Sequence, residues 1–157
     1  MNPGPYTAII RGKDNTSGVG LVEVYDLGPA TSKLANISTR AFVGTADNVV
    51  IAGFILGGNN GNDGIVARGI GPSLAGSGVP NPLADPTLEL RNSNGALLIA
   101  DNNWQDNPAQ AALITAAGLA PSNNLEAAIA ATLPPGAYTA LLAGLNNGTG
   151  LGLHVRF

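Results

Sequence analysis

The densest group of potential ligands in the 157 residues is Asp101, Asn102, Asn103, Gln105 and Asp106. Ca²⁺ takes about six to eight oxygen ligands, and Asp/Asn side chains with loop carbonyls at this spacing supply several of them. Asp101, Asn103 and Asp106 are the candidate ligands, with Asp85 approaching from the opposite end of the same predicted hairpin. The loop lacks the central Gly and closing Glu of an EF-hand. The same residues suit a role without metal, in which Asp101 and Asn102 cap turns and Asp106 or Asn107 caps a helix. Ca²⁺ is the only cofactor the sequence raises. Trp104, the sole tryptophan, sits inside this cluster, either as a platform for a sugar or peptide or as a plug in the core.

Nucleophilic chemistry finds no support. His154 is the only histidine and has no local acid or nucleophile beside it. Ser73 follows a proline in GIGPSLAG, outside any G-x-S-x-G elbow, and Pro72 interrupts the glycine pattern that a dinucleotide would require. With no cysteine, thiolate catalysis, disulfides and Cys-ligated zinc are excluded. Seven Lys and Arg against ten Asp and Glu give a net charge of -3 with no basic stripe, so nucleic acid is not an expected partner. No apolar run reaches the length of a membrane span. The sequence therefore predicts a protein that is not an enzyme.

The elements that hold these residues are short. With 22 Gly, 11 Pro and only 11% charged residues, the chain must turn often and cannot be dominated by long helices. Asn48 to Leu56 is apolar on both faces, which predicts a strand in the middle of a sandwich. Ile65 to Gly69 is a further strand, and the Gly76 to Pro86 stretch is too rich in turn residues for regular structure. Thr87 to Arg91 alternates strictly and turns at Asn94-Gly95 into Ala96 to Ala100, a predicted hairpin. Asn107 as N-cap, Pro108 at the first helical position and Gly118 as stop predict one helix near 108–117. Leu125 to Leu133 is read as a strand that Pro134-Pro135-Gly136 turns straight into the next, as in a meander. The sum is an all-β chain, an antiparallel β-sandwich of jelly-roll-like form with one short helix.

The sequence also repeats itself. PGPYTAIIRGKDNTSGVGLVEVY from Pro3 aligns with PGAYTALLAGLNNGTGLGLHVRF from Pro135 at an offset of 132, with 10 of 23 pairs identical. Ordinary residue frequencies give about one or two such matches. Each copy is predicted to be a hairpin around a Gly/Asn-rich turn, Tyr6 to Arg11 with Val19 to Tyr25 and Tyr138 to Leu142 with Leu151 to Phe157. The expected organisation is residues 1–25 as the closing hairpin of a preceding repeat and 26–157 as one complete unit.

From Leu34 to Phe157, the strings LANISTRAFVG, VVIAGFILGG, VARGIGPSL, LADPTLELRNSNGALLIADNNWQD and TLPPGAYTALLAGLNNGTG resemble a module repeated in large secreted bacterial proteins. The half from Asp85 onward is similar in layout to bacterial pre-peptidase C-terminal domains, with a D-x-x-L-x-L strand, an N-G turn, a D-N-x-x-x-D segment and a closing P-G-x-Y-T strand. These resemblances imply an exported, non-catalytic β-sandwich, extracellular or at the cell surface, although Met1-NPGPY shows neither the basic nor the apolar region of a signal peptide. They also imply that calcium or a polymeric ligand is bound by some such domains.

Two functions of different class follow. One is a structural, adhesive or self-assembling repeat module, whose partners are copies of itself or adjacent units, head to tail. Its surplus segment would present Tyr6, Ile9, Ile10, Val22 and Val24 to a neighbouring molecule. The other is a calcium-dependent module that holds a glycan or protein ligand at the Asp101 to Asp106 loop.

Overall fold

The computed structural model describes residues 4–25, 36–57 and 61–156, and divides the chain into two units, 1–34 and 35–157. The described residues of the larger unit form eight strands: β1 (Ile37–Val43), β2 (Val50–Leu56), β3 (Asp63–Ile70), β4 (Pro86–Asn92), β5 (Leu97–Asp101), β6 (Ala127–Leu133), β7 (Gly136–Gly144) and β8 (Gly150–Arg156). They form two four-stranded antiparallel sheets, in the orders β1-β8-β3-β6 and β2-β7-β4-β5. Successive strands mostly change sheet, and the result is an eight-stranded jelly roll. Among the described residues a single α-helix, α1 (Pro108–Ala116), lies between β5 and β6 in the chain.

Alternation of side chains builds the core. Along β4, Leu88 and Leu90 point inward, and along β7 Tyr138, Ala140 and Leu142 do the same. They meet Val43, Ile65 and Ile129 of the facing sheet, while Phe54 and Tyr138 stack as register partners with ring centroids 5.7 Å apart. A second cluster joins α1 to the outside of the first sheet: Ile114 with Val66, Trp104, Ala128 and Ala130. Trp104 is thus a plug in this second core cluster.

Helix α1 starts where its sequence signals it. The Asn107 side chain accepts from the backbone N–H of Ala109 and Gln110 at 3.1 and 3.2 Å, and Gly118 takes a φ of 71° just after the last turn. The hairpin β4–β5 also stands, with Gly95 at φ 77° in its turn.

Three expectations about pairing are corrected. Strand β2 is an edge strand, bonded only to β7, and Ile51 and Ile55 on its outer face are exposed. Its apolar sequence reads as two buried faces, yet only Val50, Phe54 and Leu56 are buried. The Pro134-Pro135 turn does not continue a meander, because β6 lies in one sheet and β7 in the other. Nor is the C-terminal copy a hairpin: β7 runs between β2 and β4, while β8 runs between β1 and β3 in the opposite sheet. The turn over Leu145–Asn147 is a corner that carries the chain across the sandwich.

Candidate functional site

The acidic loop is built into the edge of the first sheet. Strand β6 is an edge strand, and its outward N–H groups would be exposed to pairing. Asp101 Oδ2 accepts from the Ala128 N–H at 2.9 Å, and Gln110 Oε1 from the Ala130 N–H at 3.1 Å, so side chains close that edge. Burial raises the Asp101 pKa, the Ala128 N–H works against it, and the Asp106 charge adds to it. Further along, Asn103 Nδ2 donates to Asp106 Oδ2 at 3.4 Å, and the Asp106 N–H donates to the Asn103 carbonyl at 2.8 Å. Asp85 precedes β4, at the same end of the β4–β5 ladder as Asp101, since Leu88 and Asp101 are register partners. Asp85 Oδ1 and Asn103 Oδ1 are buried acceptors with no hydrogen-bond partner among the described residues. Among the described residues, no group of three or more His, Asp or Glu is placed to hold an ion.

Sequence reasoning missed Glu126. It is wholly buried, and its Oε1 accepts from the Gly71 N–H at 3.3 Å, the Ser73 N–H at 3.0 Å and the Ser73 hydroxyl. Its own carbonyl accepts from the Trp104 N–H at 2.9 Å. Burial lowers the Arg68 pKa while the Glu126 carboxylate works against that fall, and Arg68 Nη1 donates to the Leu119 carbonyl at 3.3 Å. One residue therefore ties three pieces of chain at the start of β6, its carboxylate holding the 3₁₀ turn over Pro72–Ser77 and its main-chain carbonyl holding the Trp104 loop. Chemically the arrangement holds backbone; the serine is bonded to a carboxylate without a histidine between them. The signal available in the sequence was a single acid opening the apolar run EAAIAATL, at a place where an unpaired charge would be costly.

His154 points inward from β8 and is 2% exposed; burial pushes its pKa down to about 4, and Nε2 has no partner among the described residues. It lines a small recess with Thr39, Ala52 and Phe54, and no carboxylic acid is among the residues of that recess.

Residues 4–25 form no strand. The expected hairpin of the N-terminal copy is not formed, and its two arms correspond in sequence to β7 and β8, which belong to different sheets and share no ladder. The turn between the arms is nonetheless the same. Asp14 and Asn15 have φ of 53° and 59°, and Asn146 and Asn147 have 52° and 60°. A backbone bond of 3.1 Å from Thr16 to Lys13 closes the first turn, and one of 2.9 Å from Gly148 to Leu145 closes the second. A Cβ on Gly20 would meet Ile10 Cδ1 at 2.9 Å, as one on Gly152 would meet Leu142 Cδ2 at 2.9 Å. Along the arms Tyr6, Ile9, Ile10, Val19, Leu21, Val24 and Tyr25 are more than half exposed, and Val22 is about half exposed.

No protein-family model matches the chain, and no curated protein does. Among solved structures, the chain is similar to the pre-peptidase C-terminal domain of a collagenase from Bacillus anthracis, at 12% identity and a TM-score of 0.46, over 76% of this chain and 88% of that one. Nothing about activity, ligand or location passes from that likeness to this chain. Among the described residues, no helix is long and apolar enough to cross a membrane.

The outer face of the second sheet carries a shallow hollow of about 420 Å³ bordered by Ile51, Arg91, Thr139 and Leu141. Arg91 is paired there with Glu89 at 2.6 Å. Its polar and apolar lining supports no particular chemistry.

Proposed function

We propose that the chain is a non-catalytic, structural module of an extracellular or cell-surface protein, which assembles head to tail with copies of itself or adjacent repeats. The observation that carries this reading is the exposed apolar segment 4–25, which repeats both the sequence and the turn geometry of the segment that closes the sandwich. Apolar side chains grouped on exposed, unladdered backbone favour contact with another chain. The roles of Asp101, Glu126 and Ser73 in holding backbone support a framework in preference to a catalyst. Sedimentation of the full chain beside one starting at Thr31 tests it. The full chain should associate with rising concentration while the shortened chain stays monomeric, and two monomers would reject the assembly role.

A second reading, a calcium-dependent module for a carbohydrate or protein ligand, draws on the partnerless Asp85 Oδ1 and Asn103 Oδ1. Two buried oxygen acceptors without donors suit a cation. Millimolar Ca²⁺ should then raise the melting temperature, and Asp101→Ala with Asp106→Ala should abolish the rise. Identical melting curves with Ca²⁺ and with chelator would remove this reading.

A further inference from the structure

We propose that residues 5–25 are a second closing segment, which takes the place of β7 and β8 inside the sandwich of a second copy of this chain. This rests on the assembly reading and specifies its contact. The position to be filled is interior, since β7 is bonded to β2 and β4, and β8 to β1 and β3. An added strand at a sheet edge would not reproduce it; replacement would.

The fit can be followed along the offset of 132 residues. Tyr6, Ala8 and Ile10 stand where Tyr138, Ala140 and Leu142 point into the core. Tyrosine and alanine are unchanged, and isoleucine for leucine conserves volume. The opposite arm is more restrictive. A Cβ on Gly150 would lie 2.7 Å from the Leu83 nitrogen, and one on Gly152 would lie 2.9 Å from Leu142 Cδ2 and 3.1 Å from Val43 Cγ2. The sandwich therefore demands glycine at Gly150, against the Leu83 backbone, and leaves little room beside Val43 at Gly152, where the Leu142 contact lies within the closing segment itself; the N-terminal segment has Gly18 and Gly20 at these places. Gly12 matches Gly144, where a Cβ would run into the Gly148 carbonyl. The corner is also formed in advance, so little turn entropy is lost on insertion.

The number of closed sandwiches is the same before and after such an exchange, so its balance turns on the differences between the two segments. At the inward place of His154, whose Nε2 is buried without a partner, the spare segment carries Val22. An apolar side chain there removes an unsatisfied polar atom. Ile9 stands for Leu141 on the outer face, and Val24 for Arg156 at the end of β8.

The register supplies a direct test. Thr139 is opposite Gly53 of β2, so Thr7 of one molecule would lie opposite Gly53 of another. Gly53 has open space for a Cβ, and the chain has no cysteine of its own. Full-length Thr7→Cys and Gly53→Cys chains would be unfolded together, refolded and oxidised. A disulfide-linked heterodimer is expected, and it should be lost when Asp14→Cys, at the turn, replaces Thr7→Cys. No linkage above that control overturns the proposal. So does a chain bearing both Thr7→Cys and Gly53→Cys that links only within itself, since the segment would then fill its own sandwich. A wild-type chain that associates through residues 4–25 without Thr7–Gly53 linkage would keep the assembly role and reject replacement. A wild-type chain that stays monomeric at every concentration would reject the assembly role and replacement with it.

Discussion

His154 makes the closing strand sensitive to acid. Burial holds the imidazole neutral in the fold, with a pKa of about 4 against 6.5 when unfolded. Below 6.5 the unfolded chain binds a proton that the folded chain refuses, so stability falls as pH drops from about 6.5 to about 4, by roughly 3 kcal/mol in all. Below that window both states are protonated and the loss is complete. Urea unfolding at pH 7.5 and pH 4 measures it, and His154→Val, which copies the residue at position 22, should remove most of the difference. Glu126 is a buried residue whose Oε1 is already in use as an acceptor. Glu126→Ala would leave the Gly71 and Ser73 N–H groups without their acceptor, each costing about 1 to 3 kcal/mol where water cannot reach. A denaturation midpoint unchanged in Glu126→Ala would show that the 3₁₀ turn over Pro72–Ser77 holds itself.

At the scale of elements, strand β7 bears the most. It is bonded on both sides, and Leu142 at its inner face is fully buried. Leu142→Ala should cost roughly 2 to 5 kcal/mol, whereas Leu141→Ala, on the outer face of the same strand, should cost much less. Comparable losses at both would contradict the inward alternation of β7. Strands, helix cap and the Asn94-Gly95 turn were legible in the sequence because their signals are local: alternation in Thr87 to Arg91, an N-cap at Asn107, a positive φ at Gly95. Pairing was not. In a jelly roll the consecutive strands β7 and β8 lie in opposite sheets, and the corner at Leu145–Asn147 has the same Gly/Asn composition as a hairpin turn. The apolar run of β2 misled for a related reason, since Ile51 and Ile55 occupy an exposed face that periodicity alone marks as buried. The tie from Glu126 to Ser73 spans 53 residues, beyond any local pattern.

For the whole molecule, what matters is how little charge is available to any contact it makes. The net charge is -3 with 11% charged residues, and the residues that the N-terminal segment would bury in a second copy are Tyr6, Ala8, Ile10 and Val22. Only Arg11, Lys13, Asp14 and Glu23 are ionisable in residues 7–24, two of each sign. An assembly held by such a segment draws on burial and backbone pairing, not on Coulomb attraction between surfaces. Exposed ion pairs are screened beyond about 10 Å at 0.1 M salt and weaken further at higher salt, whereas apolar burial does not. Association measured by sedimentation should therefore be unchanged between low salt and about 0.5 M sodium chloride, and strengthened by sulfate, which favours burial by being excluded from protein surface. Ile10→Asp should abolish it by placing a carboxylate where Leu142 of the closing segment is fully buried, while Lys13→Ala at the turn should leave it intact. Dissociation by sodium chloride, with Ile10→Asp still associating, would mean that the molecules meet through charged surface and that the apolar arms of residues 4–25 take no part.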